Sequence, residues 1–272
     1  IGALIIPKTK EPFLLIPKME YERAKKHSRI KRLYLWDKKR LFETVKKILP
    51  KEKIKVKVIG VDYSNFTLSA FNALKNTFKG VKIKDVDSLC RKTRIIKTSE
   101  ELSYIKKGCK ITDKIFNGCM KNSKSHSTES DIASFLEYTT KRQGLDIAFK
   151  PIVASGKSSS MPHYTPEKIK LRKGFCVIDF GIKYKGHCTD MTRTIYIGKP
   201  SKFEIEIYRF LLKVQMEIIN NIKVGVVCGE LCAIANKSLG KYKKNFIHGL
   251  GHGVGIEIHE SPNLKLDSKD IL

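Results

Sequence analysis

Apolar positions recur along residues 1–90 with two alternating periods, the two-residue step of a strand and the 3.6-residue step of a helix. Apolar runs at 3–7 and 13–17 flank a K-T-K-E turn and predict a hairpin. A short helix at 21–27, a strand at 33–36 and a helix at 41–49 ended by Pro50 follow. Residues 54–61 alternate lysine with β-branched side chains, as a half-buried strand does. The stripe Phe66, Leu68, Phe71, Leu74, Phe78 predicts a helix over 64–78, and 81–86 a further strand. The pattern is that of an α/β domain, and nothing in it looks catalytic.

Residues 85–97 read as a basic connector, which divides the chain into domains at 1–90 and 91–272. Beyond it, Thr98 with Glu101 predicts a capped helix striped by Leu102, Ile105, Cys109, Thr112, Phe116 and Cys119. A polar break at 121–127 precedes a second helix capped by Thr128 and Asp131. A strand at 149–154 leads into a Gly/Ser-rich loop at 155–162, ending M-P-H-Y-T. Residues 177–198 then read as two apolar strands around a short polar turn, and helices start at Ser201 and near Gly229.

That hairpin carries Asp179 and Asp190. A turn at Tyr184-Lys185 sets the two directly opposite, where like charges are destabilising. A shared proton, a divalent cation or plain exposure to solvent would each relieve the repulsion. Histidines bear on the choice. His248, His252 and His259 fall within twelve residues laced with Gly249, Gly251, Gly253 and Gly255, and His259 ends a V-G-I-E-I-H run with a strand's alternation. Two aspartates and a histidine make a mixed nitrogen and oxygen donor set suited to Mn, Co, Fe or Zn rather than a closed thiolate site. Further histidines beside such a metal suit a substrate carbonyl and the oxyanion formed from it, which points to metal-assisted hydrolysis.

Composition narrows the classes. At 272 residues and 41% hydrophobic, the chain has the material for a real core. No apolar run approaches the ~20 residues a membrane span needs. The net charge of +27 is spread over every predicted helix rather than gathered in a nucleic-acid motif, so no specific nucleic-acid partner is expected. Seven irregularly spaced cysteines, with no export signal, fit reduced thiols in a cytoplasmic protein. Cys228 and Cys232 read as buried small hydrophobes.

Together, Asp179-Phe-Gly, Thr189-Asp-Met-Thr-Arg-Thr, His248-Gly-Leu-Gly-His-Gly-Val-Gly and His259-Glu-Ser-Pro make the chain resemble the pita-bread (M24-like) metallopeptidases. That group includes Xaa-Pro dipeptidase (prolidase), aminopeptidase P, methionine aminopeptidase and creatinase. The resemblance covers essentially the whole chain and implies an α/β N-terminal domain followed by an α+β pita-bread catalytic domain. It implies Asp179, Asp190 and His252 as ligands of two divalent metal ions, and His163, His248 and His259 as catalytic and substrate-binding groups. A hydroxide bridging the metals would attack an Xaa-Pro bond in a dipeptide or at a peptide N-terminus. Thr192 and Arg193 are read as support for Asp190, and His187 as a solvent or subunit contact. A homodimer is implied as well. The alternative is a non-catalytic pita-bread module binding peptide, protein or nucleic acid.

The family completes its site with two glutamates on strands well beyond the H-E-x-P motif, and Glu257 and Glu260 do not match those positions. With Ile1 at the start and Leu272 at the end, we expect a chain truncated at both ends, lacking the C-terminal part of the catalytic domain and weakly active or inactive. Fewer than two tightly held divalent ions per 272-residue chain are therefore expected after dialysis. Elemental analysis returning two would overturn this.

Overall fold

The computed structural model describes residues 2–36, 40–122 and 126–272, so Ile1 and part of the 121–127 break lie outside it. The chain forms two compact units, Ile1–Cys90 and Arg91–Leu272. In the first, β1 (Ala3–Ile5) and β2 (Phe13–Pro17) make the antiparallel hairpin, and β3 (Leu33–Trp36) joins β2 in parallel after α1 (Tyr21–His27). α2 (Leu41–Lys51) runs through Pro50 for one residue more rather than ending before it. β4 (Val58–Val61) and β5 (Lys82–Asp85) pair in parallel around α3 (Leu68–Thr77). Phe13, Leu15, Val45, Ile48, Leu49, Leu74 and Phe78 form its buried core. The predicted connector at 85–97 is instead largely helical: α4 spans Asp87–Ile95.

In the second unit, α5 (Ser99–Lys121), α6 (Glu129–Arg142) and α7 (Lys202–Asn221) each begin in a complete capping box. The pairs are Thr98 with Glu101, Thr128 with Asp131, and Ser201 with Glu204. Each satisfies two backbone N–H groups that a helix start leaves without partners. Between α6 and α7 lie β6 (Asp146–Ile147), β7 (Ile152–Ser155), β8 (Gly174–Phe180), β9 (Ile182–Tyr184), β10 (His187–Cys188) and β11 (Met191–Ile197). β8 is central between β7 and β11, both antiparallel to it. α8 (Cys228–Leu239), β12 (Gly251–Gly253) and β13 (Glu260–Leu264) close the chain.

The strict alternation of β8 decides which face carries chemistry. Cys176, Ile178 and Phe180 are buried against Ile115, Cys119, Ile132 and Leu136 of α5 and α6. Asp179 therefore stands on the opposite face. Burying these apolar side chains contributes roughly 1.5–3 kcal/mol each, which ties the orientation of Asp179 to the packing of the core.

The turn differs from its predicted position. Tyr184 pairs with His187, so the two loop residues are Lys185 and Gly186, with φ of 51° and 84°. Positive φ at both central positions is what a type I′ hairpin turn requires. The pairing moves by two, which leaves every side chain on its expected face. Asp179 then pairs with Thr192 rather than with Asp190. Asp190, two residues before Thr192, becomes a diagonal neighbour on the same face.

Backbone also approaches backbone closely here. A Cβ built at Gly181 would overlap the carbonyl oxygen of Thr189. Gly181→Ala should cost about 3 kcal/mol or more, seen as a lower urea midpoint. Gly118→Ala on α5, where the nearest atom lies 3.9 Å away, should instead gain about 0.5–1 kcal/mol.

Candidate metal centre

Asp190 is held in place by the residue before it. Thr189 is 1% exposed, and its hydroxyl lies 2.8 Å from that of Thr112 on α5. Thr112 Oγ1 reaches Gly108 O at 3.0 Å, and Thr189 Oγ1 accepts from Ile182 N at 3.0 Å and lies 3.4 Å from Ile182 O, so the two hydroxyls share one hydrogen bond between anchored neighbours. Gly108 leaves room for this, because a Cβ there would lie 2.7 Å from the Thr189 methyl. Thr112 and Thr189 are site-building residues that the sequence reading passed over. The signal available was a threonine inside an otherwise apolar helix stripe.

Asp179, Asp190 and His252 come together. His252 Nε2 lies 3.4 Å from Asp190 Oδ2, and Asp190 also hydrogen-bonds Asp179. Burial, first, and the charge of Asp190, second, push the Asp179 carboxyl up to about 6 from an ordinary value of 3.8. A hydrogen bond from Thr192 and the nearby His252 oppose the rise. One oxygen, Asp179 Oδ1, is buried with no hydrogen-bond partner among the described residues. Such an atom costs free energy unless something meets it, and a hard or borderline cation suits it. Among the described residues, no three His, Cys, Asp or Glu side chains are already arranged as a metal cage. The aspartates and His252 pair with one another instead. The donor chemistry fits a cation, and the side chains need to open to receive it.

The other candidates are dispersed by comparison. His259 stacks edgewise on His252, ring centroids 4.3 Å apart. Its approach is not the predicted strand, since residues 255–259 form a run of bends before β13. Glu260 shapes that run: buried, it accepts from Glu257 N at 3.1 Å and lies under Gly255, where a Cβ would collide with its carboxyl. Lys97 Nζ sits 3.1 Å from Glu260, and Arg94 spans Glu257 and Glu260 at 3.3 and 3.9 Å. His248 is exposed, packed on Phe246, with Nδ1 2.7 Å from Gly249 O. His163 is exposed on a turn, and no hydrogen bond or ring contact joins it to the aspartates among the described residues.

Three assignments need correcting. Thr192 supports Asp179, its pairing partner, rather than Asp190. Arg193 faces away, 3.6 Å from Asp113 on α5. His187, expected at the surface, is 8% exposed with Nε2 3.4 Å from Glu101. Cys228 and Cys232 are buried as read, and the described cysteines are free thiols.

Residues 103–272 match the model of metallopeptidase family M24, and residues 1–96 that of the creatinase/prolidase N-terminal domain. The chain belongs to metallopeptidase family M24. It is 32% identical over 275 residues to the Xaa-Pro dipeptidase of Pyrococcus furiosus, covering all of this chain and 76% of that protein. The X-Pro aminopeptidase of Thermotoga maritima superposes with a TM-score of 0.90 at 28% identity, over all of this chain and 77% of the other. An Xaa-Pro dipeptidase of Bacillus anthracis gives 0.91 at 30%, over all of this chain and 76% of the other. The M24 chain thus has the expected architecture, a creatinase/prolidase-type N-terminal domain and a pita-bread domain, and is a peptidase of a metal-dependent family. No helix among the described residues is long and apolar enough to cross a membrane.

The raised Asp179 value sets a pH dependence. The folded metal-free protein keeps that proton up to about 6 while the unfolded chain releases it near 3.8. The resulting stability is fully present below the unfolded value and lost as pH rises through about 6. Urea midpoints of the metal-free wild type should fall across that window, and those of D179N should fall less. Equal falls in the two proteins would refute the assignment.

Proposed function

We propose that this chain is a metal-dependent exopeptidase acting on Xaa-Pro bonds, in dipeptides or at peptide N-termini. The observation that carries the reading is the joined set Asp179, Asp190 and His252, with one buried Asp179 oxygen lacking a partner among the described residues. The named specificities of the relatives supply the substrate class. Asp179, Asp190 and His252 would hold divalent cations, two in the family pattern, drawn from Mn, Co, Fe or Zn. Divalent cations held there supply Lewis acidity toward the scissile carbonyl and toward water.

The chain's own residues do the rest. Thr192 steadies the Asp179 carboxyl through its hydrogen bond, and the Thr189–Thr112 pair holds the backbone that presents Asp190. His259, stacked on His252, lies where it can hydrogen-bond a bound peptide beside the ligand set. His248, on the glycine-rich turn, is exposed. His163 stabilises the oxyanion of the tetrahedral intermediate by donating a hydrogen bond. A homodimer and a cytoplasmic setting complete the reading.

The net charge of +27 favours a second reading, a non-catalytic pita-bread module whose partner is a polyanion or an acidic peptide. Hydrolysis separates the two. With Mn or Co, cleavage of Ala-Pro but not of a longer Xaa-Pro-Xaa peptide marks a dipeptidase, and cleavage of both an aminopeptidase. His252→Ala should lower kcat/KM about 100-fold or more. Turnover of neither substrate, together with no metal uptake, would overturn the enzyme reading.

A further inference from the structure

One fully buried carboxyl in the second unit lies outside the metal centre. Glu129 is 0% exposed and is the first residue of α6. The helix does not need it as a cap, because Thr128 and Asp131 already form the capping box. Among the described residues no lysine or arginine pairs with it. A carboxyl buried in this way is costly unless its oxygens are fully engaged.

They are engaged, by the two ends of a single segment. Oε1 accepts from Ser155 N at 2.8 Å and from Ser155 Oγ at 2.7 Å, at the end of β7. Oε2 accepts from Glu167 N at 3.3 Å. Ser155 Oγ in turn accepts from Arg172 N at 3.0 Å, beyond the far end. Backbone bonds follow the same seam: Glu129 N donates to Ile169 O at 3.2 Å, Ser130 N to Glu167 O at 3.1 Å and Leu171 N to Ser127 O at 2.9 Å. The phenol of Tyr164 has its pKa raised, chiefly by burial and further by a hydrogen bond to Glu129, against an opposing one to Ser158. His163 is the neighbour of Tyr164 and lies exposed within this fastened segment, 156–170.

We propose that Glu129 is a positioning residue that clasps both ends of segment 156–170 and thereby sets where His163 stands. The role of His163 in turnover rests on the proposed function above; the clasp itself does not. An amide cannot accept at both ends, so Glu129→Gln leaves either the Ser155 or the Glu167 contact facing a donor. Without its clasp the segment is free to shift, and misplacing a catalytic group by about 1 Å costs about 100-fold in rate.

Two measurements on the full chain test this. In hydrogen–deuterium exchange of the metal-free protein, E129Q should speed exchange in peptides covering 155–170 by about tenfold, with α5 and β8 unchanged. Ser155→Ala, which removes one contact to the same carboxyl, should give a smaller rise in the same peptides, and it decides the matter if E129Q fails to fold. In Xaa-Pro hydrolysis, E129Q should lower kcat with KM little changed, and should cost nothing further in an H163A background, because the two act through one group. Unchanged exchange, exchange raised equally throughout the second unit, or losses that add in the double mutant would each overturn the proposal. A wild-type chain with neither turnover nor metal uptake would sink the peptidase reading alone, since the exchange result stands without it.

Discussion

The candidate centre depends on where one threonine hydroxyl is held. Thr189 accepts from Ile182 N and shares a hydrogen bond with the Thr112 hydroxyl, so a strand and α5 are locked at the residue before Asp190. Close packing allows this only because Gly181 and Gly108 leave out the side chains that would fill the space. On the neighbouring strand, core packing of Cys176, Ile178 and Phe180 aims Asp179 the same way. Two carboxyls with a strong mutual repulsion are thus placed together by interactions in which neither takes part.

Features that depend on near neighbours in sequence were legible before the structure. The capping boxes at Thr98, Thr128 and Ser201 are four-residue patterns, and each starts a helix where it was expected. The face of β8 followed from its alternation. The turn was misplaced by one residue although Gly186 marks it, since a glycine at the second central position is what a positive φ favours there. The helix α4 was hidden by its own lysines and arginines, which made residues 85–97 look like a linker.

What the sequence could not disclose is long-range. The alternation of V-G-I-E-I-H reads as a strand, but Glu260 folds back under Gly255 and Cys188 N donates to Gly255 O at 2.6 Å, which bends the run. Lys97 and Arg94, more than 150 residues away in sequence, hold that bend through Glu260 and Glu257. His187 is buried because Glu101 and Tyr104 of α5 reach it. The metal-ligand candidates were recognisable from motif spacing, while the residues that position them were not, because their partners lie elsewhere in the chain.

The two faces of β8 divide the strand's duties. One face is apolar and builds the core with α5 and α6; the other carries Asp179 with a buried oxygen that no group among the described residues satisfies. Stability and chemistry therefore pull on different side chains of the same seven-residue strand. A lineage drifting under pressure for a durable fold alone would keep Cys176, Ile178 and Phe180 and replace Asp179 at a gain in stability. That Asp179 stands there with its carboxyl strained toward protonation makes this strand a place where thermodynamic loss records a task.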